Sequence, residues 1–213
     1  MRIAFIGATG LIGRQLLPLL DADHDVLVLG RRPSGAAREK LGPVERWPAL
    51  LEGEQVDVAV STLGTTWKKA GSWEAFAAVD HHGVVGFAHA VKAAGARQMI
   101  SVSSVGADPA SRNGYLALKG RVERDLQEIG FERLDIFQPG LLIGDRGQDR
   151  RVLERLGILV SPVVNLALRG RLDRYAAIPA VDVARAIAKI AGTPGGGVHV
   201  HQNRGIRSLL SRA

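Results

Sequence analysis

The sequence contains no cysteine, and only 5% of its 213 residues are aromatic. The absence of cysteine excludes disulfide bonds, zinc–thiolate sites and thiol catalysis. The low aromatic content leaves few side chains on which nucleic-acid bases could stack. No apolar run reaches the roughly 18 residues that a membrane-spanning helix needs, and the N-terminus has no secretory signal pattern. From these absences we expect a cytoplasmic protein with no membrane partner.

The net formal charge is +7, and it comes mostly from arginine. Such a charge is typical of proteins that bind nucleic acid or phosphorylated ligands. The arginines are scattered, apart from the pair Arg31–Arg32 and a group between residues 146 and 155, and no helix-turn-helix, zinc-finger or RNA-binding pattern accompanies them. We therefore expect no specific nucleic-acid partner. The sequence leaves open whether the protein is a monomer or a homodimer.

The first thirteen residues join an apolar run to three glycines. Residues 3–6 are all apolar, as in a parallel strand that is buried on both faces. Gly7 would permit a tight turn, Gly10 would let backbone N–H groups approach a diphosphate, and Gly13 would let the following helix pack closely on the sheet. A diphosphate would bind at the positive end of that helix. The pattern predicts a dinucleotide site, and the alternative is a glycine-rich turn that binds nothing.

Strand and helix patterns alternate along the chain, which predicts an α/β fold. We expect a Rossmann-type doubly wound parallel sheet with helices on both faces and a small C-terminal substrate-side region. The chain is long enough for one full domain and short for two, so residues 1–213 are expected to form a single domain, with 145–177 as a short cap. The predicted strands after the first are Val26–Leu29, a short one around Val44–Trp47, Val56–Val60, Gln98–Val102, Leu134–Gln138 and Gly197–His201. Helices are predicted after the glycine motif, at about 72–94, from Tyr115, and as a final helix from Ile178.

The second predicted strand ends in Gly30, Arg31 and Arg32. In NAD-binding proteins of this fold, a carboxylate near this position holds the ribose hydroxyls. Here two arginines occupy it, and a guanidinium can pair with a ribose phosphate that a carboxylate would repel. We therefore expect NADP(H) to be preferred over NAD(H). The alternative is that both arginines are only solvated side chains at a strand end.

Tyr115 and Lys119 lie four residues apart in a predicted helix, so they share one face of it. Lys119 would stabilise a tyrosinate, which makes Tyr115 a usable general acid or base. Ser103 and Ser104 directly follow the predicted strand Gln98–Val102, and a serine hydroxyl there can hydrogen-bond a substrate carbonyl oxygen. The pattern predicts a catalytic group, and the alternative is an ordinary pair on a surface helix.

The histidines do not predict a metal site. His81 and His82 are adjacent, so on a helix they point about 100° apart and cannot chelate one ion. His199 and His201 would share one face of a strand, but no third ligand is evident. We therefore assign no metal.

Together, the glycine motif, the serine pair and the Tyr115–Lys119 pair resemble the short-chain dehydrogenase/reductase superfamily, in its atypical or extended branch. Longer strings of sequence are similar to the Tat-interacting-protein-like group of NADP(H)-binding proteins. They lie at residues 61–66, 103–108, 115–120 and 138–146. The resemblance extends from the N-terminus to about residue 190.

The resemblance implies a role for each matching residue. Tyr115 would donate the proton, Lys119 would hold the nicotinamide ribose, and Ser104, or alternatively Ser103, would orient the carbonyl. The further cofactor contacts that it implies are Thr9, Gly10, Leu11 and Ile12 at the diphosphate, Arg31 and Arg32 at the 2′-phosphate, Leu63 and Gly64 on the adenosine side, Pro139 and Leu142 near the nicotinamide, and Arg146 or Arg150 over the phosphates.

One position departs from the pattern of this superfamily. Many members have an asparagine in the helix before the serine strand, where it supports a proton relay, but this chain has none between Gly71 and Arg112; Asp80 and His82 occupy that neighbourhood.

The resemblance implies NADP(H)-dependent reduction of a small carbonyl compound, or oxidation of the alcohol. A non-catalytic NADP(H)-binding redox sensor that acts through a protein partner is the alternative. Isomerisation or dehydration of a nucleotide sugar is a third possibility, although it would ordinarily require a larger C-terminal lobe.

Overall fold

A parallel sheet of seven strands organises the computed structural model, which describes residues 1–65, 71–144 and 170–211. The strands within these residues are β1 (Arg2–Ile6), β2 (Asp25–Gly30), β3 (Arg38–Leu41), β4 (Val58–Ser61), β5 (Gln98–Val102), β6 (Arg133–Gln138), β7 (Leu141–Ile143), β8 (Ala177–Pro179) and β9 (Gly197–Gln202). The large sheet has the order β3-β2-β1-β4-β5-β6-β9, while β7 and β8 pair separately. The chain therefore reverses direction across the sheet between β1 and β4, where Rossmann-type folds bind their ligands. The expected fold class is confirmed.

Helices cover both faces of this sheet. They are α1 (Gly13–Asp21), α2 (Trp47–Leu50), α3 (Trp73–Ala77), α4 (Val84–Ala93), α5 (Gly114–Ile129), α6 (Ala180–Ile190) and α7 (Asn203–Ser211). Alternate residues of β1 enter two separate cores, because successive strand side chains point to opposite faces. Ile3 and Phe5 join the core beneath α1 and α6, whereas Ala4 and Ile6 join the core beneath α4 and α5. None of the described helices combines the length and the apolar character that a membrane crossing requires.

The predicted helix at 72–94 is interrupted by a π-helical segment. Ala78–Gly83 forms this segment between α3 and α4. π-Helical turns are rare and are frequent at functional sites. The side chain of Asp80, in the middle of this one, is completely buried. Gly83 packs so closely on Val44 that an added Cβ would lie 2.6 Å from Val44 Cγ1.

Two local predictions differ from the structure. The strand predicted around Val44–Trp47 is wrong: the strand is Arg38–Leu41, and a 3₁₀ turn at Val44–Arg46 and α2 follow it. The charged side chains of the strand Arg38–Leu41 suit its position at the edge of the sheet. Trp47 is buried instead, and its Nε1 donates a hydrogen bond of 3.1 Å to the carbonyl of Gly42. The predicted final helix begins at Ala180 instead of Ile178, and α7 follows it. Most of the expected cap at 145–177 lies outside the described residues.

The first and third glycines of the N-terminal motif are required by packing. Gly7 has a φ of +90°, and an added Cβ would lie 2.5 Å from the amide nitrogen of Leu63. A Cβ on Gly13 would overlap the carbonyl oxygen of Gly7 and lie 2.7 Å from Ala8 Cα. Both neighbours of Gly13 are backbone atoms, so the overlap could be relieved only by moving α1 away from the loop.

We predict that Gly13→Ala lowers the free energy of unfolding by about 2 kcal/mol, because the loop and α1 are already in contact. Gly86→Ala in α4 is the matched control, since its added Cβ would lie no closer than 4.0 Å to its nearest neighbour, Pro48 Cγ. The control should gain up to about 1 kcal/mol from its higher helix propensity. Urea denaturation of both variants measures the difference. Equal stability of Gly13→Ala and the wild type would contradict the close contact.

Candidate cofactor and active site

A cleft of about 370 Å³ opens at the carboxyl ends of the central strands β1, β4 and β5. Ten of the residues predicted from the sequence line it: Thr9, Gly10, Leu11, Ile12, Leu63, Gly64, Ser103, Tyr115, Lys119 and Leu142. The remaining lining residues, Arg14, Thr62, Thr65 and Val102, were not predicted. The structure thus brings the glycine motif and the Tyr115–Lys119 pair to one cavity from opposite ends of the first 120 residues.

A smaller pocket of about 50 Å³ adjoins the cleft at the carboxyl end of β2. Gly7, Arg31 and Arg32 line it, and Thr9 and Leu63 line both cavities. Ser34, which was not predicted, also lines this pocket. Its backbone N–H and its hydroxyl donate hydrogen bonds of 2.8 and 2.9 Å to Glu39 Oε2, and these bonds hold the turn after β2 in place.

Helix α5 presents Tyr115 and Lys119 to the cleft from its first turns. The helix begins after Asn113, whose side-chain oxygen accepts a hydrogen bond of 3.2 Å from the Leu116 N–H. Tyr115 is 39% exposed, and its ring packs on Phe76 with 5.8 Å between the centroids. Lys119, one turn later, is buried. An exposed phenol and a buried ammonium group thus line the cleft one helical turn apart.

Lys119 forms an ion pair with Asp80 of the π-helical segment. Lys119 Nζ lies 2.9 Å from Asp80 Oδ1, and Asp80 Oδ2 accepts a hydrogen bond of 2.7 Å from the Thr65 N–H. Burial lowers the pKa of Lys119, but the negative charge of Asp80, together with the field of Tyr115, raises it by more, so the net effect is a raised pKa. Lys119 is therefore held as a cation, one helical turn from Tyr115.

The structure brings Ser103, and not Ser104, to the cleft. The Ser103 N–H still bonds to the carbonyl of Phe137 at 2.7 Å, so Ser103 stays at the edge of the sheet. Its hydroxyl oxygen is in short hydrogen-bond contact with Glu123 Oε1. Ser104 is one residue further from the sheet, its hydroxyl contacts the carbonyl of Val105 at 3.4 Å, and it does not line the cleft. The sequence favoured Ser104 and kept Ser103 as the alternative; the alternative has the better placement.

Other predicted site residues lie outside both cavities. Gly13 packs against the glycine loop, as described above. Pro139 is buried directly after β6, where its carbonyl accepts a hydrogen bond of 3.1 Å from the Val105 N–H, and it does not line the cleft. Arg146 and Arg150, which were predicted to lie over the phosphates, fall outside the described residues. Their role stays a prediction.

Two of the histidines that were considered as metal ligands pair with single carboxylates. His81 Nε2 lies 2.7 Å from Asp125 Oδ2, and His201 Nε2 lies 2.8 Å from Asp135 Oδ1. Burial raises the pKa of Asp135, but hydrogen bonds from His201, Arg133 and Gln98 outweigh it and lower the pKa to about 2. In the part of the chain that the structure describes, no three His, Asp or Glu side chains converge as a metal site would require.

Curated proteins of similar sequence include a group of fungal proteins. The chain is 34% identical over 163 residues to "Protein FMP52-1, mitochondrial" of Scheffersomyces stipitis, which covers 72% of each chain. It is 31% identical over 215 residues to "Protein FMP52, mitochondrial" of Coccidioides immitis, which covers 89% of this chain and 87% of the relative.

The names of these relatives contradict the cytoplasmic location that the sequence led us to expect. Both fungal proteins are named as mitochondrial, and so is the similar protein of Candida albicans. The expectation was wrong because the lack of cysteine and of a secretory signal argues only against the secretory route.

Solved structures and a family model identify the broader group. MoeE5 in complex with UDP-glucose and NAD has a TM-score of 0.71 and 16% identity, with 94% of this chain and 75% of that chain covered. UDP-glucose 4-epimerase from Bifidobacterium longum, in complex with NAD+ and UDP, has a TM-score of 0.72 and 12% identity over 94% and 77%. These likenesses show the fold, and the expected short-chain dehydrogenase/reductase relationship is confirmed.

The model of the NAD dependent epimerase/dehydratase family matches residues 3–119, more than half of the chain. The chain belongs to the NAD dependent epimerase/dehydratase family.

Proposed function

We propose that the protein is an NADP(H)-dependent oxidoreductase that reduces a small carbonyl compound or oxidises the corresponding alcohol. One observation supports this more than any other: Ser103, Tyr115 and the charged Lys119 line the same cleft as the glycine loop. This is the set of groups that carbonyl reduction needs beside a nicotinamide, namely a hydrogen-bond donor, a proton donor and a cation.

The residues of the two cavities fit a dinucleotide. The loop at residues 9–12 offers backbone to a diphosphate, and Gly10 is tightly packed there, since an added Cβ would lie 3.1 Å from the carbonyl oxygen of Gly7. Arg14 adds positive charge at the start of α1, and Arg31 and Arg32 add it at the far end. Lys119, which lines the same cleft, would hold the ribose next to the nicotinamide.

The chain's own groups would then carry the proton chemistry. When bound, the cofactor supplies a hydride to the carbonyl carbon. Tyr115 donates its phenolic proton to the carbonyl oxygen, and Ser103 holds that oxygen by a hydrogen bond. The positive charge of Lys119 stabilises the tyrosinate that remains, since an ammonium group in a poorly solvated site interacts strongly with a nearby anion.

We predict that Tyr115→Phe lowers kcat by about 100-fold or more, because the proton donor is lost, while the Kd for NADPH stays close to that of the wild type. NADPH consumption across a panel of aldehydes and ketones measures kcat, and calorimetry measures Kd. Tyr175→Phe is the control, because Tyr175 is the other tyrosine and does not line the cleft.

Two outcomes would count against the proposed reaction. Turnover by Tyr115→Phe at the wild-type rate would remove Tyr115 from the chemistry. Tight binding of NADPH with no turnover by the wild type would instead favour a redox sensor that acts through a protein partner.

The preference for NADP(H) rests on the pocket at the end of β2. Arg31 and Arg32 are exposed there, and no acidic residue belongs to the pocket's lining. Two guanidinium groups at this position can pair with a 2′-phosphate, and NAD(H) has no such group.

We predict that Arg31→Ser or Arg32→Ser weakens NADPH binding by about 10-fold or more and leaves NADH binding nearly unchanged, because each variant removes a charge-assisted contact. Arg97→Ser is the control, since exposed Arg97 directly precedes β5 at the opposite, amino-terminal edge of the sheet. Equal affinity of the wild type for NADPH and NADH, measured by calorimetry, would refute the preference.

Asp80 occupies the neighbourhood in which many short-chain dehydrogenases have an asparagine. Here the carboxylate pairs directly with Lys119, and its other oxygen holds Thr65 at the edge of the cleft. An asparagine at this position could still accept the hydrogen bond from Thr65, but it could not balance the buried charge. The substitution Asp80→Asn therefore isolates the effect of the charge.

We predict that Asp80→Asn lowers the free energy of unfolding by about 3 kcal/mol at pH 7, because it leaves a buried ammonium without its counter-ion. Without Asp80, burial would depress the pKa of Lys119, so the unfolded state would bind more protons and the deficit should shrink as the pH rises from 7 to 9. Urea denaturation at both pH values tests this. Glu128→Gln, at an exposed position of α5, should change stability by no more than about 0.5 kcal/mol. A deficit that does not change with pH would show that the charge of Lys119 is not its cause.

A further inference from the structure

Helix α5 carries a third functional group in line with Tyr115 and Lys119. Glu123 follows Lys119 by four residues, so the three side chains lie along one face of the helix. Glu123 is only 9% exposed. Most glutamate side chains in proteins are exposed to solvent. The carboxyl group of Glu123 instead lies at the end of β5, where it contacts the hydroxyl of Ser103.

Two glutamines fix the orientation of this carboxyl group. Gln138 Nε2, at the end of β6, lies 3.0 Å from Glu123 Oε1 and 2.9 Å from Oε2. Gln202 Nε2, at the end of β9, donates to Gln138 Oε1 at 3.0 Å, so the amide of Gln138 presents its N–H groups to Glu123. A series of hydrogen-bond contacts thus runs from Gln202 through Gln138 and Glu123 to Ser103. It connects the carboxyl ends of β9, β6 and β5, and its last member lines the cleft.

The surroundings of Glu123 raise the pKa of its carboxyl group. Burial raises the pKa of this carboxyl group; the hydrogen bonds from Ser103 and Gln138 and the charge of Lys119 act in the opposite direction but do not cancel the rise. Lys119, on the same helix, is the charged group that acts on it. Strands β5 and β6 present the neutral side chains of Ser103 and Gln138.

The protonation state of Glu123 decides where the hydrogen of Ser103 points. A serine hydroxyl has one hydrogen to donate. If Glu123 is ionised, it takes that hydrogen, and Ser103 offers only lone pairs to the cleft. If Glu123 is protonated, Oε1 can donate to Ser103 Oγ while Oε2 accepts from Gln138, and the hydrogen of Ser103 is free to turn into the cleft.

We propose that Glu123 is a positioning residue that acts as a carboxylic acid: its O–H donates to Ser103 Oγ, and Ser103 therefore donates its own hydrogen to the carbonyl oxygen of the substrate. This inference rests on the proposed function and adds a residue to it. Glu123 keeps its proton throughout, and the proton that reaches the substrate oxygen comes from Tyr115. The protonated form is the active one, so turnover is lost as the pH rises through the pKa of Glu123.

The first test is the pH profile of kcat at saturating NADPH, with an aldehyde that the wild type reduces. The wild type should show a fall in kcat on its alkaline side. Glu123→Ala should lower kcat by about 10-fold or more at every pH, with the Kd for NADPH unchanged. Glu123→Gln should recover most of this loss and lack the fall due to Glu123, because an amide N–H donates to Ser103 at any pH. Glu128→Gln, on the exposed side of the same helix, should keep the wild-type profile.

Two kinetic results would overturn the proposal. One is a wild-type kcat in Glu123→Ala. The other is a Glu123→Gln profile with the same alkaline fall as the wild type, since that fall would then belong to another group.

A second test does not depend on turnover. Carbon-13 NMR of the labelled glutamate carboxyls, with the Glu123 signal assigned by its loss in Glu123→Gln, gives the pKa of Glu123 directly. A raised pKa that matches the kinetic fall supports the proposal, and a pKa at or below the ordinary value of about 4.3 overturns it. If Glu123 has a raised pKa and no carbonyl compound is reduced, the proposed function fails while the assignment of the proton to Glu123 stands.

Discussion

The site depends on one buried ion pair, between Lys119 and Asp80. The two residues come from separate helical segments, and each is held in place mainly because the other balances its charge: neither charge could stay buried alone without a cost of several kcal/mol. The pair fixes α5 against the π-helical segment, and through Thr65 it also fixes the loop after β4. Tyr115, Lys119 and Thr65 all line the cleft, so this contact holds together segments that form its wall.

The parallel sheet explains why so many separate segments meet around that pair. Because all seven strands run in the same direction, the glycine loop, the arginines after β2, the loop after β4 and the serine after β5 emerge at one edge. Two adjoining cavities run along this edge, with Arg31 and Arg32 at one end and Tyr115 at the other. The proposed NADP(H) would match this arrangement, since one of its ends carries a ribose phosphate and the other the reactive ring.

Local patterns in the sequence predicted the glycine loop, most strands and the Tyr115–Lys119 pair, because each depends on spacing within a single element. Asp80 was noticed only as a residue near a missing asparagine. Its pairing with Lys119 depends on a π-helical turn that ordinary helical periodicity does not reveal. The contact of Glu123 with Ser103, on which its proposed role depends, was missed. Its four-residue spacing from Lys119 was a visible signal, but the contact itself arises from tertiary packing. The choice between Ser103 and Ser104 likewise required knowing how far the β5 ladder extends, and the edge strand at Arg38–Leu41 has too many charged residues to be recognised by hydrophobic pattern.

The most direct test of this account is a crystal structure of the protein with NADPH bound. The account predicts that the diphosphate lies against the backbone of residues 9–12, that the 2′-phosphate contacts Arg31 or Arg32, and that the ribose next to the nicotinamide lies within hydrogen-bond distance of Lys119 Nζ and Tyr115 Oη. A nucleotide bound away from the glycine loop, or one whose nicotinamide end points away from Tyr115, would contradict it.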